Sequence, residues 1–164
     1  MRARVFRPSS VRRARLRHDG AIGFTLIELV VVVSVLAILA VMAGPSFSEM
    51  NARQRVQTAA ADLFTSLLRA RSEAIKQNAD AVLIPTGAWN NGWTIEVGGT
   101  TFDKHSATTN ISIAGNVAAV TYHSSGRVSG GTVPAFTLTA SNTTVTRCVQ
   151  VRLSGEPIVN PVCL

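Results

Sequence analysis

Gly23-Phe24-Thr25-Leu26-Ile27-Glu28-Leu29 opens a run of apolar residues, Val30 to Gly44, that only Ser34 interrupts. From Phe24 to Gly44 the run is 21 residues long, about 31 Å as a helix at ~1.5 Å per residue. That matches the roughly 30 Å hydrocarbon core of a bilayer, so the sequence predicts a membrane-inserted helix over residues 24–45. Upstream stand Arg2, Arg4, Arg7, Arg12, Arg13, Arg15 and Arg17, with Asp19 as the only acid. Residues 1–23 therefore hold +6 of the formal +7, and residues 24–164 hold +1. Such arginines keep their end on the cytoplasmic side and send everything beyond Gly44 across the membrane. A basic total would otherwise point to nucleic acid or an anionic surface. Its confinement to one end removes that argument for the remaining chain.

Two plainer readings compete. An ordinary secretory signal has an apolar region of about 7–15 residues before a small-residue cleavage site, here near Val41-Met42-Ala43. The apolar run is longer than that and contains a carboxylate. A buried core helix is the other, but a domain this small has little core in which to hide such a segment. Glu28 is the informative residue, because a carboxylate at the bilayer centre costs about 2.5–3.5 kcal/mol on insertion scales. It either snorkels to the interface or awaits a positive partner. A cut between Gly23 and Phe24 creates an α-amine four residues before it. The same amine of a neighbouring subunit would neutralise Glu28 inside an apolar bundle and fix axial register.

Gly23-Phe24-Thr25-Leu26-Ile27-Glu28, followed by a membrane-length apolar run, resembles the signature of type IV pilins and type II secretion pseudopilins. The resemblance implies a prepilin peptidase that cuts after Gly23 and methylates the new N-terminal Phe24. It also gives Glu28 the place of the acid used in subunit assembly. The leader is long for this class.

Gly44-Pro45 ends the uniformly apolar stretch, and proline inside a helix usually kinks it. Beyond it Val56, Ala60, Leu63, Leu67, Ala70 and Ala74 recur at steps of four and three, with Phe64 and Ile75 widening the stripe. Arg53, Gln57, Ser66, Arg69, Glu73 and Lys76 fall largely on other faces, which is the pattern of a helix with one packed side. Asn78 is the expected stop. From Ala81 onward strands are expected at 81–84, 93–97, 111–113, 117–122, 135–139 and 145–153, with turns at Asn90-Asn91-Gly92 and Ser125-Gly126. One long helix followed by closely spaced strands predicts an α+β fold in which the helix covers antiparallel sheet.

Leu68-Arg69-Ala70-Arg71-Ser72-Glu73-Ala74-Ile75-Lys76-Gln77-Asn78 and Trp89-Asn90-Asn91-Gly92-Trp93 extend the resemblance to the FimT/GspH branch of minor pilins and pseudopilins. Ser125-Gly126-Arg127-Val128 and Arg147-Cys148-Val149-Gln150-Val151 agree with it. The branch implies a pilin-like fold with residues 1–23 as a cleaved leader, 24–45 as the transmembrane assembly helix and 46–164 as a periplasmic domain. The partners it implies are prepilin peptidase, other major and minor pilins or pseudopilins, an inner-membrane assembly platform and the lipid bilayer. Its implied role is to start or tip a pilus or pseudopilus.

Cys148 and Cys163 are the only cysteines. In an oxidising periplasm an even pair favours a disulfide over two reduced thiols, closing a loop worth about 3 kcal/mol. No nearby His or Cys-x-x-Cys suggests a metal. Trp89 and Trp93 are expected to pack beside a turn. His105 and His123 are expected to be lone surface histidines, since no nucleophile elbow or acidic pair accompanies them. No catalytic residue, cofactor or enzyme activity is expected. FimT relatives have been linked to DNA uptake through a Gly-Arg-x-Arg element, and the corresponding stretch here is Ser154-Gly155-Glu156-Pro157. Glu156 stands where an arginine would meet phosphate. That leaves Arg147 and Arg152 as the candidate DNA contacts of an alternative, DNA-receptor reading. A secreted enzyme is the remaining alternative.

Overall fold

Thr25 sets the start of the main helix. Its hydroxyl accepts the backbone N–H of Glu28 at 3.3 Å, so Thr25-Leu26-Ile27-Glu28 follows the Ser/Thr-x-x-Glu pattern of a helix N-terminus. Glu28 then lies in the first turn, where a negative charge complements the helix dipole. The helix, α1, runs Leu26–Gln77. It stops at Asn78, which takes a left-handed φ of 49°. Ala79 N–H reaches back to the Ala74 carbonyl and Asn78 N–H to that of Ile75, a Schellman cap that satisfies two end carbonyls. The computed structural model describes residues 23–141 and 143–163, without the side chains of residues 42–46. The predicted leader, apart from Gly23, lies outside the described residues.

The chain divides into two compact units at Ala40/Val41. In the first, every described side chain from Phe24 to Ala40 is exposed. Ser34 donates its hydroxyl hydrogen to the Val30 carbonyl at 2.7 Å, which satisfies the one polar group in the run without breaking the helix.

The second unit holds two four-stranded antiparallel sheets. The first comprises β1 (Ala81–Pro85), β2 (Gly92–Val97), β3 (Thr100–Ser106) and β5 (Val120–Tyr122), in the order β3-β2-β1-β5. The second comprises β4 (Ile111–Gly115), β6 (Ala135–Ala140), β7 (Arg147–Val151) and β8 (Pro157–Asn160), in the order β4-β6-β7-β8. One core joins the helix to both. Val56, Ala59, Ala60, Leu63, Leu67, Ala70 and Ala74 meet Leu83, Trp93 and Ile95 of the first sheet and Ile113, Phe136, Leu138, Val149 and Val151 of the second. This is the expected α+β arrangement.

Several expectations need correction. Ile75 is 52% exposed and does not widen the packed stripe. Ser66 and Glu73, expected on open faces, are buried, and Glu73 is satisfied by Lys76 at 2.9 Å and Gln77 at 3.0 Å. The expected strand at 145–153 is the shorter β7, and neither β3 nor β8, which follows β7 after a tight turn, is among the expected strands. Residues 117–119 precede β5 rather than belonging to it.

Candidate assembly surfaces

The N-terminal surface is the most unusual feature of the molecule. Phe24 is 78% exposed and Leu26 81%, and the large apolar side chains from Ile27 to Val41 are likewise open. An exposed apolar surface of this extent marks a site of contact with protein or lipid. Among the described residues no helix is long and apolar enough to cross a membrane. The described part of the apolar run within α1 extends from Leu26 to Val41, sixteen residues, or about 24 Å. Gly23, Phe24 and Glu28 sit together at this end. The side chains of Met42 to Ser46, the far part of the expected span, lie outside the described residues.

At the other end of α1, Arg71 ties two turns together. Its Nε donates to the Gly126 carbonyl at 3.0 Å and its guanidinium also reaches the Ser154 carbonyl at 3.3 Å. Gly126 has a φ of 75° and Gly155 a φ of 87°. A Cβ on Gly155 would collide with the Gly126 carbonyl oxygen, so the two turns stack backbone on backbone. Arg71 lies within the motif that carries the family resemblance, but periodicity alone gave no sign of this clamp.

The second unit places the remaining candidates. A disulfide joins Cys148 to Cys163 with Cα atoms 5.3 Å apart, fastening the chain beyond β8 to β7. Cys148 is buried on the outer face of its sheet, and Thr137 lies opposite it in register. Trp89 buries its ring edge-on against Phe136, centroids 4.7 Å apart, and donates Nε1–H to the Val117 carbonyl at 3.1 Å. Trp93 stacks on His105 at 4.2 Å, and among the described residues no partner is found for its indole N–H. Neither histidine is alone. His105 lies 4.0 Å from Asp62, and His123 Nδ1 lies 3.1 Å from Asp80.

Arg152 pairs with Glu156 at 2.9 Å, and Arg147 donates to the Thr146 carbonyl at 3.0 Å. Two turns of the electrostatics are distinctive elsewhere. Hydrogen bonds from Gln77 and then Lys76 hold the Glu73 carboxyl below its ordinary pKa. Burial pushes the Tyr122 hydroxyl well above its ordinary value, against a smaller opposing effect of the Arg71 charge. Among the described residues no group of three or more His, Cys, Asp or Glu side chains is placed to hold a metal ion.

Residues 59–155 match the family model described as Type II transport protein GspH. The chain belongs to the GspH family. Its fold is similar to that of the type IV minor pilin FimU of Pseudomonas aeruginosa PAO1, in two crystal forms. One superposes with a TM-score of 0.59 at 23% identity, over 66% of this chain and 90% of FimU. The other gives 0.57 at 23%, over 64% and 92%. The minor pseudopilin EpsH of the Vibrio cholerae type 2 secretion system superposes with a TM-score of 0.53 at 13% identity, over 65% of this chain and 97% of EpsH. At these identities the likeness is one of fold. No curated protein matches the sequence. This is a family of structural pilin and pseudopilin subunits, not of enzymes, and membership implies association with other pilins or pseudopilins.

Proposed function

We propose that this GspH-family chain is a minor pilin or pseudopilin subunit made as a precursor. Prepilin peptidase cuts it between Gly23 and Phe24 and methylates Phe24. The helix 24–45 holds it in the bacterial inner membrane, with residues 46–164 in the periplasm. The assembly platform then draws it into a pilus or pseudopilus, which it helps to start or to tip.

The supporting observation is the apolar helix face from Phe24 to Val41, left open on a chain whose folded part belongs to a family of fibre subunits. Burying such a face releases about 25 cal/mol per Å², whether lipid tails or neighbouring helices cover it. Transfer from bilayer to bundle therefore exchanges one apolar environment for another. In that setting Glu28 supplies the register, since a buried carboxylate is tolerated only beside a positive partner. The α-amine of a neighbouring Phe24 is such a partner.

N-terminal analysis of the mature protein is the test. N-methylated Phe24 is the expected result, and a mature start at Gly44 would indicate ordinary signal-peptide removal and overturn the proposal. The DNA-receptor alternative draws no support from Arg152, whose charge Glu156 takes up. It requires a mobility shift that weakens with salt as phosphate contacts are screened. Failure to bind DNA at low salt removes it.

A further inference from the structure

Four strands of the second unit stand at sheet edges: β3 and β5 in one sheet, β4 and β8 in the other. An open edge is a row of unpaired backbone groups that invites another strand, and proteins block it with bulges, charge, proline or covering chain. Three of these edges are blocked. On β3 the register slips between Ile95 and Glu96, leaving Phe102 unpaired in a bulge beside Asp103 and Lys104. The chain after β5 folds back over it. Ser129 N–H donates to the Thr121 carbonyl at 2.8 Å and His123 N–H to that of Arg127 at 2.9 Å. On β8 the Arg152 N–H to Glu156 carbonyl bond sets the alternation of the ladder, so Pro157 and Val159 face outward. Pro157 has no N–H to offer.

β4 carries no bulge, charge or proline, and the turn Trp89–Asn91, which packs against it, makes no backbone hydrogen bond to its edge. Its register with β6 is unbroken from Ile111↔Ala140 to Gly115↔Phe136. Asn116 N–H donates to the Ala135 carbonyl at 3.1 Å, so by alternation Ser112 and Ala114 bond to β6 while Ile111, Ile113 and Gly115 turn their N–H and C=O outward. No hydrogen bond from another described residue is found at those groups. Gly115 is exposed, and a glycine has only backbone to expose. The strand is also uncharged, and from Ala107 to Thr146 Arg127 is the only Lys, Arg, Asp or Glu. Beside the start of β4, Arg55 of α1 lines a groove with Asn51, Gln54, Thr58, Thr108 and Thr109. Among the described residues no carboxylate pairs with Arg55.

We propose that the free edge of β4 accepts an extended, uncharged segment of a different pilin-family subunit, which adds a fifth strand to the second sheet and sets an acidic residue against Arg55. This rests on the pilin reading above. Backbone bonds to Ile111, Ile113 and Gly115 supply affinity, as in other cases of strand addition. An uncharged contact strip leaves no ion to be stripped of water at the centre of the interface.

The test places a photo-reactive amino acid at Ser112 of the full-length chain in its host bacterium, with Thr101 on the blocked β3 edge as reference. Adducts from Ser112 are expected to map to an extended segment of another pilin-family subunit, with none from Thr101. Ala114→Lys, and separately Arg55→Glu, should each lower the yield at least about tenfold while melting temperature and leader processing stay unchanged. The proposal is overturned if a processed, fibre-incorporated chain gives no Ser112 adduct. It is equally overturned if the adduct joins only two copies of this chain or a protein outside the family, or if both variants cross-link as the parent does. Processing at Gly23 is read on the same samples, so failure there identifies the pilin reading as the one at fault.

Discussion

At the residue scale, the tightest constraint is the meeting of the turns at Gly126 and Gly155. Gly155 needs both a left-handed backbone and the absence of a Cβ, whereas Gly98, at φ 58°, has open space around it. Gly155→Ala should therefore cost about 2 kcal/mol or more and Gly98→Ala about 1 kcal/mol, measured by denaturant unfolding. Equal costs would show that the turns can part without penalty. Tyr122 offers a second measurement because it is the only tyrosine and its buried hydroxyl has no hydrogen-bond partner among the described residues. Its pKa is raised in the folded state, so its contribution to stability is complete below the unfolded value of roughly 10. That contribution fades as pH rises from there through the folded value. Tyrosinate absorbance should stay flat past that point and then rise together with loss of circular dichroism. A free titration near pH 10 in the folded protein would contradict the burial. Tyr122→Phe, which removes an unsatisfied buried hydroxyl, should leave stability unchanged or raise it by up to about 1 kcal/mol.

At the scale of elements, the disulfide and the strands it joins carry the clearest expectation. Cys163→Ser should lower unfolding free energy by about 3 kcal/mol in the loop-entropy picture, and a reductant should do the same to the parent while leaving the variant unmoved. Equal stability of parent and variant would mean that the chain beyond β8 contributes nothing. The sequence made the helix stripe and the buried strands plain, since Leu83, Ile95, Ile113, Leu138 and Val149 sit in short runs rich in Val, Ile, Thr and aromatic residues, several of them alternating apolar and polar. It was silent on β3 and β8. β3 reads Thr-Thr-Phe-Asp-Lys-His-Ser and is exposed along most of its length, so no apolar alternation marks it. β8 begins at Pro157, a residue that signals a break except where an edge strand can spare its N–H. Edge strands are shaped by what they must avoid, and pattern reading responds to what is buried. Arg71 was legible only as part of a motif, because its partners are backbone carbonyls 55 and 83 residues away.

At the scale of the whole molecule, the two units answer to different surroundings. The second has a closed core of its own, whereas the first exposes apolar side chains that water disfavours. Val33→Lys should shift the precursor from the membrane fraction toward the soluble one, since a lysine near mid-bilayer costs about 2.5–3.5 kcal/mol. Quantifying both fractions by immunoblot checks this, and an unmoved distribution would argue against insertion of this helix. The roles proposed for Gly23, Phe24 and Glu28 rest on six consecutive residues and a run of defined length that point the same way. The β4 edge was not legible. It is recognised only when the other three edges are seen to be blocked.

The stacking of Trp93 on His105 gives the molecule an optical readout of its own. An imidazole held face to face with an indole, centroids 4.2 Å apart, is well placed to quench its emission. Trp93 should therefore be dim while β3 lies along β2 and brighten when that strand peels away. Trp89, with Phe136 beside it and its N–H on the Val117 carbonyl, sits near β4 and lacks an imidazole neighbour of this kind. A Trp89→Phe variant would isolate the dim emitter, and His105→Ala in that background should restore its light without unfolding. Loosening at the β3 margin during incorporation into a fibre could then be followed by intrinsic fluorescence, with no label attached.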